Sequence, residues 1–325
     1  MKFHPVTQYS VEKIIKNLKQ NAAAGSDRIQ SRVIKENCRD LLSSITYLVN
    51  LSMSTGTFPT LYKEAIIRPI YKGGDEQDIN NYRPISLISN VSKIIEKAIK
   101  DQLVKYLEDS KYLVESQLGF RKNMGTEDAI NKLHTELTTH LDNGKKCIAI
   151  FQDLSKAFDL VEHEKLITKI KEAGCGGQVL KWFQTYLENR EQKVRIGEIE
   201  SKTLKLKSGT PQGTALSPIL FILYMNELGK IDLKGKVISY ADDTVVIEVG
   251  ETWAEVKQNA EEDLRKIISW LSKRNLTLNL GKTNFIQFGI KNKKKEDDIS
   301  INTHQKRCNT DKLLEKEGNT ERKPQ

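Results

Sequence analysis

An α/β (α+β) fold is predicted for this 325-residue chain from three observations. Short apolar runs of strand length recur, the clearest being "KKCIAIFQD", "KVISYADDTVVIEVG" and "KTNFIQFGI". Between them lie longer segments with apolar residues at helical spacing, such as "NVSKIIEKAIKDQLVKYLED" and "TWAEVKQNAEEDLRKIISWLSKR". Apolar residues make up 38 % of the chain, enough for a substantial core.

Residues 1–60 read as a helical N-terminal extension. "SVEKIIKNLKQ" sets Val11, Ile14, Ile15 and Leu18 on one helix face, with Ser10 as N-cap. "NAAAGSD" follows as a loop. "SRVIKENCRDLLSSITYLVNLSMSTG" returns to helical spacing and stops at a glycine. Over 61–145, "EAIIRPIYKGGD" is a strand broken by Pro69 and Gly73-Gly74. "NNYRPISLIS" is extended around Pro84, and a strong amphipathic helix follows.

Over 146–290 the run "KKCIAIFQD" is a strand, "VEHEKLITKIKEAG" a helix with a glycine stop, and "VLKWFQTYLENR" a second helix. "QKVRIGEIESKTLKLKSG" is a hairpin and "SPILFILYMNEL", apolar nearly all round, a buried helix. A strand–turn–strand, a long helix and a last strand complete the region. Strand, helices, two strands, helix, strand approaches the β-α-β-β-α-β plan of a ferredoxin-like sheet. From 291 to 325 the chain is charged without sustained period and reads as a solvated or disordered tail.

The formal net charge of +9 favours a polyanionic partner such as nucleic acid. Cys38, Cys147, Cys175 and Cys308 form no CxxC pair and read as free thiols of a reducing compartment. The five histidines show no zinc spacing. No signal peptide opens the chain, and "PILFILYM" falls short of the roughly 20 residues that span a bilayer. An intracellular protein without membrane contact is expected.

Asp153 ends the strand "CIAIFQD", and Asp242 and Asp243 occupy the turn of "SYADDTVVIEV". An isolated Asp-Asp turn is ordinary turn chemistry, and a lone strand-end Asp an ordinary cap. In the β-α-β-β plan, however, that strand and that hairpin are neighbours. Three carboxylates at one sheet edge repel unless a cation intervenes, and their oxygens suit Mg²⁺. Two such ions about 4 Å apart would activate an attacking hydroxyl and stabilise the leaving oxygen of a phosphoryl displacement. "GTPQG", Gly209 to Gly213, is a loop before the buried helix that exposes backbone N–H groups. Pro84 holds Arg83 extended, which would present its guanidinium fork.

Together "YADD", "FQDLSKAFDLVEHEKL", "SGTPQGTALSPILFILYMNEL" and "NYRPISLISNVSKIIEKAI" resemble the reverse transcriptase of non-LTR (LINE-type) retrotransposons, particularly jockey-like elements. "NAAAGSDRI", "SQLGFR" and "WLSKRNLTLNLGKTNFIQF" extend the likeness over roughly residues 5–290. The resemblance implies a right-hand polymerase: fingers over 61–145, palm over 146–290. It implies RNA-directed DNA synthesis from deoxynucleotides on a primer 3′-hydroxyl, with two Mg²⁺ ions, or Mn²⁺. The partners implied are an RNA template, a DNA primer and dNTPs, in cytoplasm and nucleus. Asp153, Asp242 and Asp243 match the metal-binding set, with the Leu154 carbonyl as a further ligand. Phe158 matches an aromatic gate against a ribose 2′-hydroxyl, with core packing as the alternative. Asp159 reads as a helix-start residue. Gln212 and Gly213 match the nucleotide and template pocket, and Lys72 and Arg83 match finger bases that face the triphosphate. Lys282 matches a lysine near the leaving pyrophosphate, acting as an acid or capping a strand.

The chain departs from the family at Gln152, at "RNLTL" and beyond "ISINTHQ", where a helical thumb is expected and "KRCNTDKLLEKEGNTERKPQ" stands. The expectation is a thumb missing or incomplete, with no endonuclease domain or Cys/His knuckle, in a fragment, decayed copy or frameshifted gene. The alternative function is an inactive remnant that only binds RNA. A group II intron type enzyme also fits "GTPQG" and "YADD", while "DLSKAFDLVEH" favours the retrotransposon branch.

Overall fold

A computed structural model describes residues 1–289, 300–303 and 312–316. The chain divides into two compact units, Met1–Tyr112 with Phe158–Tyr224, and Leu113–Ala157 with Met225–Gln325. The chain leaves the second unit after Ala157 and returns to it at Met225.

The first unit opens with α1 (Gln8–Lys16), whose N-cap is Thr7 rather than Ser10. The Thr7 hydroxyl accepts from the Ser10 N–H, which satisfies one orphan donor of the first turn. The following helical stretch is two helices, α2 (Ser31–Glu36) and α3 (Cys38–Thr55), broken at Asn37. α3 ends at Gly56, in the left-handed region at φ 62°. β1 (Glu64–Tyr71) and β2 (Tyr82–Leu87) pair antiparallel, and α4 (Asn90–Asp109) begins at the Ser89 cap.

α5 (Thr126–Asp142) and β3 (Lys146–Gln152) belong to the second unit. The first unit resumes with α6 (His163–Glu172), α7 (Gly177–Leu187), β4 (Glu191–Ile196), β5 (Ile199–Glu200), β6 (Leu204–Lys205) and α8 (Ser217–Met225). β4 runs parallel to β1 and carries the β5 turn-back, so the sheet order is β2-β1-β4-β5, with β6 also on β4. The core of this unit is aromatic. Trp182 and Tyr186 stack at 5.3 Å, and Phe58 meets Tyr186 edge-on at 5.0 Å.

A charge sits inside that core. Glu96 is fully buried and its carboxylate accepts from the Tyr186 hydroxyl at 3.1 Å and the Ala215 N–H at 3.0 Å. Burial raises its pKa; the charge of buried Arg190 and the donated hydrogen bonds oppose that. The Arg190 guanidinium lies 4.9 Å over the Tyr186 ring and donates to the Tyr186 carbonyl. Glu96 thus ties α4 to the chain entering α8.

The second unit is built on one sheet. β7 (Lys236–Tyr240), β8 (Asp243–Gly250) and β9 (Asn284–Phe288) join β3 in the order β9-β3-β8-β7, all antiparallel. That is the strand order of the ferredoxin-like plan read from the sequence. α9 (Trp253–Ser272) covers one face through Val256, Ala260 and Leu264 against Ile148, Ile150 and Phe285. α5 covers the other through Leu137, with Leu133 and Leu141, against Cys147, Ile238 and Ile247. Burial on both faces explains why "CIAI" is a continuous apolar run.

Within 291–325, read above as a structureless tail, the described residues form β10 (Ile301–Thr303) and β11 (Lys312–Lys316). β11 adds parallel to β9, and β10 pairs with β11. Strand pairing overrides local composition there, and Ile301 is buried in the α9 cluster. The rest of the expected tail lies outside the described residues. Cys38, Cys147 and Cys175 are free, as expected; Cys308 lies outside the described residues.

Beneath α9, Glu248 on β8 is fully buried, and among the described residues no donor reaches its oxygens. Its neighbour is a second buried carboxyl, Asp263, which accepts from the Gly235 N–H at 2.8 Å. Burial, and then the Asp263 charge, push the Glu248 pKa up to about 8. The folded state therefore keeps a proton that the unfolded chain releases near the ordinary carboxyl value of 4.5. The resulting stability is complete below that value and is lost as pH rises through about 8. Glu248→Gln, which carries a permanent donor, is expected to flatten this loss. Melting curves between pH 5 and 9 should show the wild-type Tm falling more than the variant's, by on the order of 5 °C. Parallel pH profiles would contradict the assignment.

Candidate active site

The expected carboxylates share one end of one sheet. The β3–β8 ladder runs from Lys146↔Gly250 to Gln152↔Thr244, so Asp153 follows its last pair on one strand and Asp243 precedes it on the other. The β7–β8 hairpin closes at Tyr240↔Asp243, leaving Ala241 and Asp242 as a two-residue turn. Ala241 has φ 61°, the positive value that the first position of a type II′ turn requires. Asp243 is exposed, and Asp153 and Asp242 are half-buried.

Asp153 is held by a turn that the sequence reading left without a role. The Asn279 side chain donates to Asp153 Oδ2 at 2.9 Å, and the Asn279 N–H donates to the Asp153 carbonyl at 2.8 Å. Thr283 Oγ1 accepts from the Asp153 N–H at 3.3 Å. Exposed Lys282 lies in this same turn, its N–H on the Asn279 carbonyl. Leu154 forms a bridge with Leu278, which carries the chain past the carboxylate in extended form.

The turn of the hairpin is backed by the "SQLGF" segment. The Ser239 N–H donates to the Ser116 carbonyl, and the Leu118 N–H to the Ser239 carbonyl, each at 2.8 Å. A Cβ on Gly119 would stand 2.2 Å from the Ala241 nitrogen, so only glycine allows this approach.

In the first unit, Phe158, Asp159, Gln212 and Gly213 form a second cluster. The Thr210 N–H donates to the Phe158 carbonyl at 2.9 Å, and the Gln212 side chain donates to Asp159 Oδ1 at 2.7 Å. Asp159 is therefore not a helix-start residue; the N-cap of α6 is Glu162, and Asp159 orients Gln212. The Phe158 ring stacks on Phe221 with centroids 4.5 Å apart. Gly209 packs its α-carbon on the Asp159 backbone at φ 87°, and exposed Gly213 stands at φ 89°. His163 Nε2 meets the Gly209 carbonyl at 2.8 Å, and burial lowers its pKa. The loop is joined to β2 by the Ser86 N–H on the Gln212 carbonyl at 3.0 Å. Exposed Arg83 lies on that strand, opposite Ile70, and exposed Lys72 follows β1.

Hard carboxylate oxygens, one exposed and two half-buried, suit a divalent cation that keeps part of its water shell. Among the described residues no three His, Cys, Asp or Glu side chains are gathered closely enough to hold an ion. What the fold supplies is the common edge. The donor chemistry of Asp153, Asp242 and Asp243 suits such a metal.

The second unit thus carries a carboxylate-bearing hairpin beside the first strand of its sheet, and the first unit a Gly-Thr-Pro-Gln-Gly loop ahead of a buried helix. Residues 70–309 match the family described as "Reverse transcriptase (RNA-dependent DNA polymerase)", and the chain belongs to that family. Its likeness is to transposon proteins. It is 28% identical over 295 residues to "Probable RNA-directed DNA polymerase from transposon X-element" of Drosophila melanogaster, covering 88% of this chain and 32% of that protein. It is 29% identical over 290 residues to the corresponding protein "from transposon BS" of the same organism, covering 86% and 32%. To "RNA-directed DNA polymerase from mobile element jockey", also of Drosophila melanogaster, it is 27% identical over 291 residues, covering 87% and 32%. The chain spans about a third of the length of these curated relatives. The resemblance to jockey-like elements read from the motifs is thereby borne out. No helix among the described residues is long and apolar enough to cross a membrane.

Gly119→Ala is expected to destabilise the second unit by about 1–3 kcal/mol, since its methyl group must displace the Ala241 backbone. Ala241→Gly, at φ 61°, should be neutral or slightly stabilising. Urea unfolding of both variants checks the pair; equal effects would count against the close approach.

Proposed function

We propose that this chain is the polymerase part of a retrotransposon reverse transcriptase. It copies an RNA template into DNA by extending a primer 3′-hydroxyl with deoxynucleotides. The observation that supports this reading is the β3–β8 register, whose last pair, Gln152↔Thr244, is flanked by Asp153 on one strand and Asp243 on the other. Asp153, Asp242, Asp243 and the Leu154 carbonyl would hold two Mg²⁺ ions, or Mn²⁺, which would supply Lewis-acid activation of the hydroxyl and of the leaving oxygen.

The chain's own residues do the rest. Asn279 fixes the rotamer of Asp153 through its side-chain amide. Arg83 and Lys72, exposed on the β1–β2 arm, are the cations for the triphosphate oxygens. Lys282 neutralises, or protonates, the departing pyrophosphate. Phe158, backed by Phe221, presents a ring that excludes a 2′-hydroxyl. Gln212, aimed by Asp159, and the open backbone at Gly213 line the base and template side. In family terms 61–145 act as fingers and 146–290 as palm, with 1–60 a helical extension. The net charge of +9 supports binding of the A-form hybrid through its phosphates. Action on such templates sets the protein in the cytoplasm and nucleus.

Primer extension on an RNA template tests the reading. Asp153→Asn and Asp242→Asn are each expected to lower the extension rate by at least on the order of 10²–10³-fold, with RNA affinity within about twofold of wild type. Full extension by either variant would remove the carboxylates from the mechanism. RNA binding by a wild-type protein that extends nothing would favour the RNA-binding remnant.

A further inference from the structure

One buried polar side chain in the second unit has no place in the roles above. Gln117 is 3% exposed and lies in the segment that lines β7. Its Oε1 accepts from the Ala241 N–H at 3.0 Å and from the Gly119 N–H at 2.8 Å. Its Nε2 donates to the Ala241 carbonyl at 3.3 Å. Both peptide groups of Ala241 are thus bonded by one side chain.

Ala241 is the residue most in need of such partners. The β7–β8 ladder ends at Tyr240↔Asp243, so Ala241 lies beyond it. Its φ of 61° is strained for a residue with a Cβ. Two adjacent carboxylates follow it and repel each other. A neutral amide offers donor and acceptor side by side in a single plane without adding charge. A carboxylate at 117 would lose the donor and add a third negative group beside the pair. Gln117 is itself fixed: the Arg121 guanidinium donates to the Gln117 carbonyl at 3.3 Å and to the Val114 carbonyl at 3.1 Å.

We infer that Gln117 is a positioning residue, which clamps Ala241 and thereby sets where Asp242 and Asp243 present their carboxylates. The inference rests on the polymerase reading for its kinetic consequence, but the clamp itself is measurable without catalysis.

The test uses the full chain with Gln117→Met, which keeps the volume and removes both bonds, and Gln117→Glu, which keeps only the acceptor. Hydrogen–deuterium exchange of a peptide covering 239–243 is read beside one covering 217–225. Exchange over 239–243 should rise by about tenfold or more in the Met variant, rise less in the Glu variant, and stay unchanged over 217–225 in both. Primer extension by the Met variant should show kcat reduced by about 10–100-fold, with the dNTP KM little changed and the Mg²⁺ requirement raised. Unchanged exchange over 239–243 would overturn the clamp, and faster exchange with an unaltered kcat would overturn its role in positioning the carboxylates. Faster exchange in both peptides would also overturn it, by making Gln117 a general packing residue. If the wild type extends no primer, the polymerase reading fails, and the exchange data still decide the clamp.

Discussion

The antiparallel ladder between β3 and β8 is the constraint on which the rest of the site depends. Side chains alternate across a strand, so a slip of one residue would turn Ile148 and Ile150 away from α9. The same slip would shift Asp153 and Asp243, which flank the last pair of the ladder, against each other. Core and carboxylate placement are therefore specified together: the apolar alternation that buries the sheet on both faces also sets the register of its carboxylate-bearing end. The hairpin turn then needs only to be held, and the segment through Gly119 holds it from outside.

Buried polar groups mark where the fold accepts a cost. Glu96 in the first unit is satisfied by Tyr186 and Ala215, and so fixes the exit of the Gly-Thr-Pro-Gln-Gly loop into α8. Glu248 in the second unit has no such company and is better kept protonated. It lies on β8, the strand that begins with Asp243. A strand with an ionisable group under its helix and a carboxylate at its end couples pH to the stability of the site's own scaffold.

Much of this was legible because it is local. α4 begins and ends where its apolar period does, and the "YADD" hairpin declares its own turn. α5 went unread although Leu133, Leu137 and Leu141 have helical spacing, because polar residues interrupt the stripe and Ile130 faces solvent. Asn279 and Gln117 had no local signal at all. Their partners lie 126 and 124 residues away, and an amide in a loop looks the same whether or not it bonds a distant backbone. The described strands of the 291–325 region were missed for a related reason: their pairing with β9 is a tertiary event that a charged composition conceals.

The central claim is that the end of the β3–β8 ladder is one divalent-metal site. Iron-directed cleavage tests it most directly, with Fe²⁺ in place of Mg²⁺ and hydroxyl radicals generated at the ion. The account predicts backbone cuts confined to the neighbourhood of Asp153 and of Asp242-Asp243, both suppressed by excess Mg²⁺. Cuts at only one of these segments, or cuts that Mg²⁺ does not suppress, would contradict it.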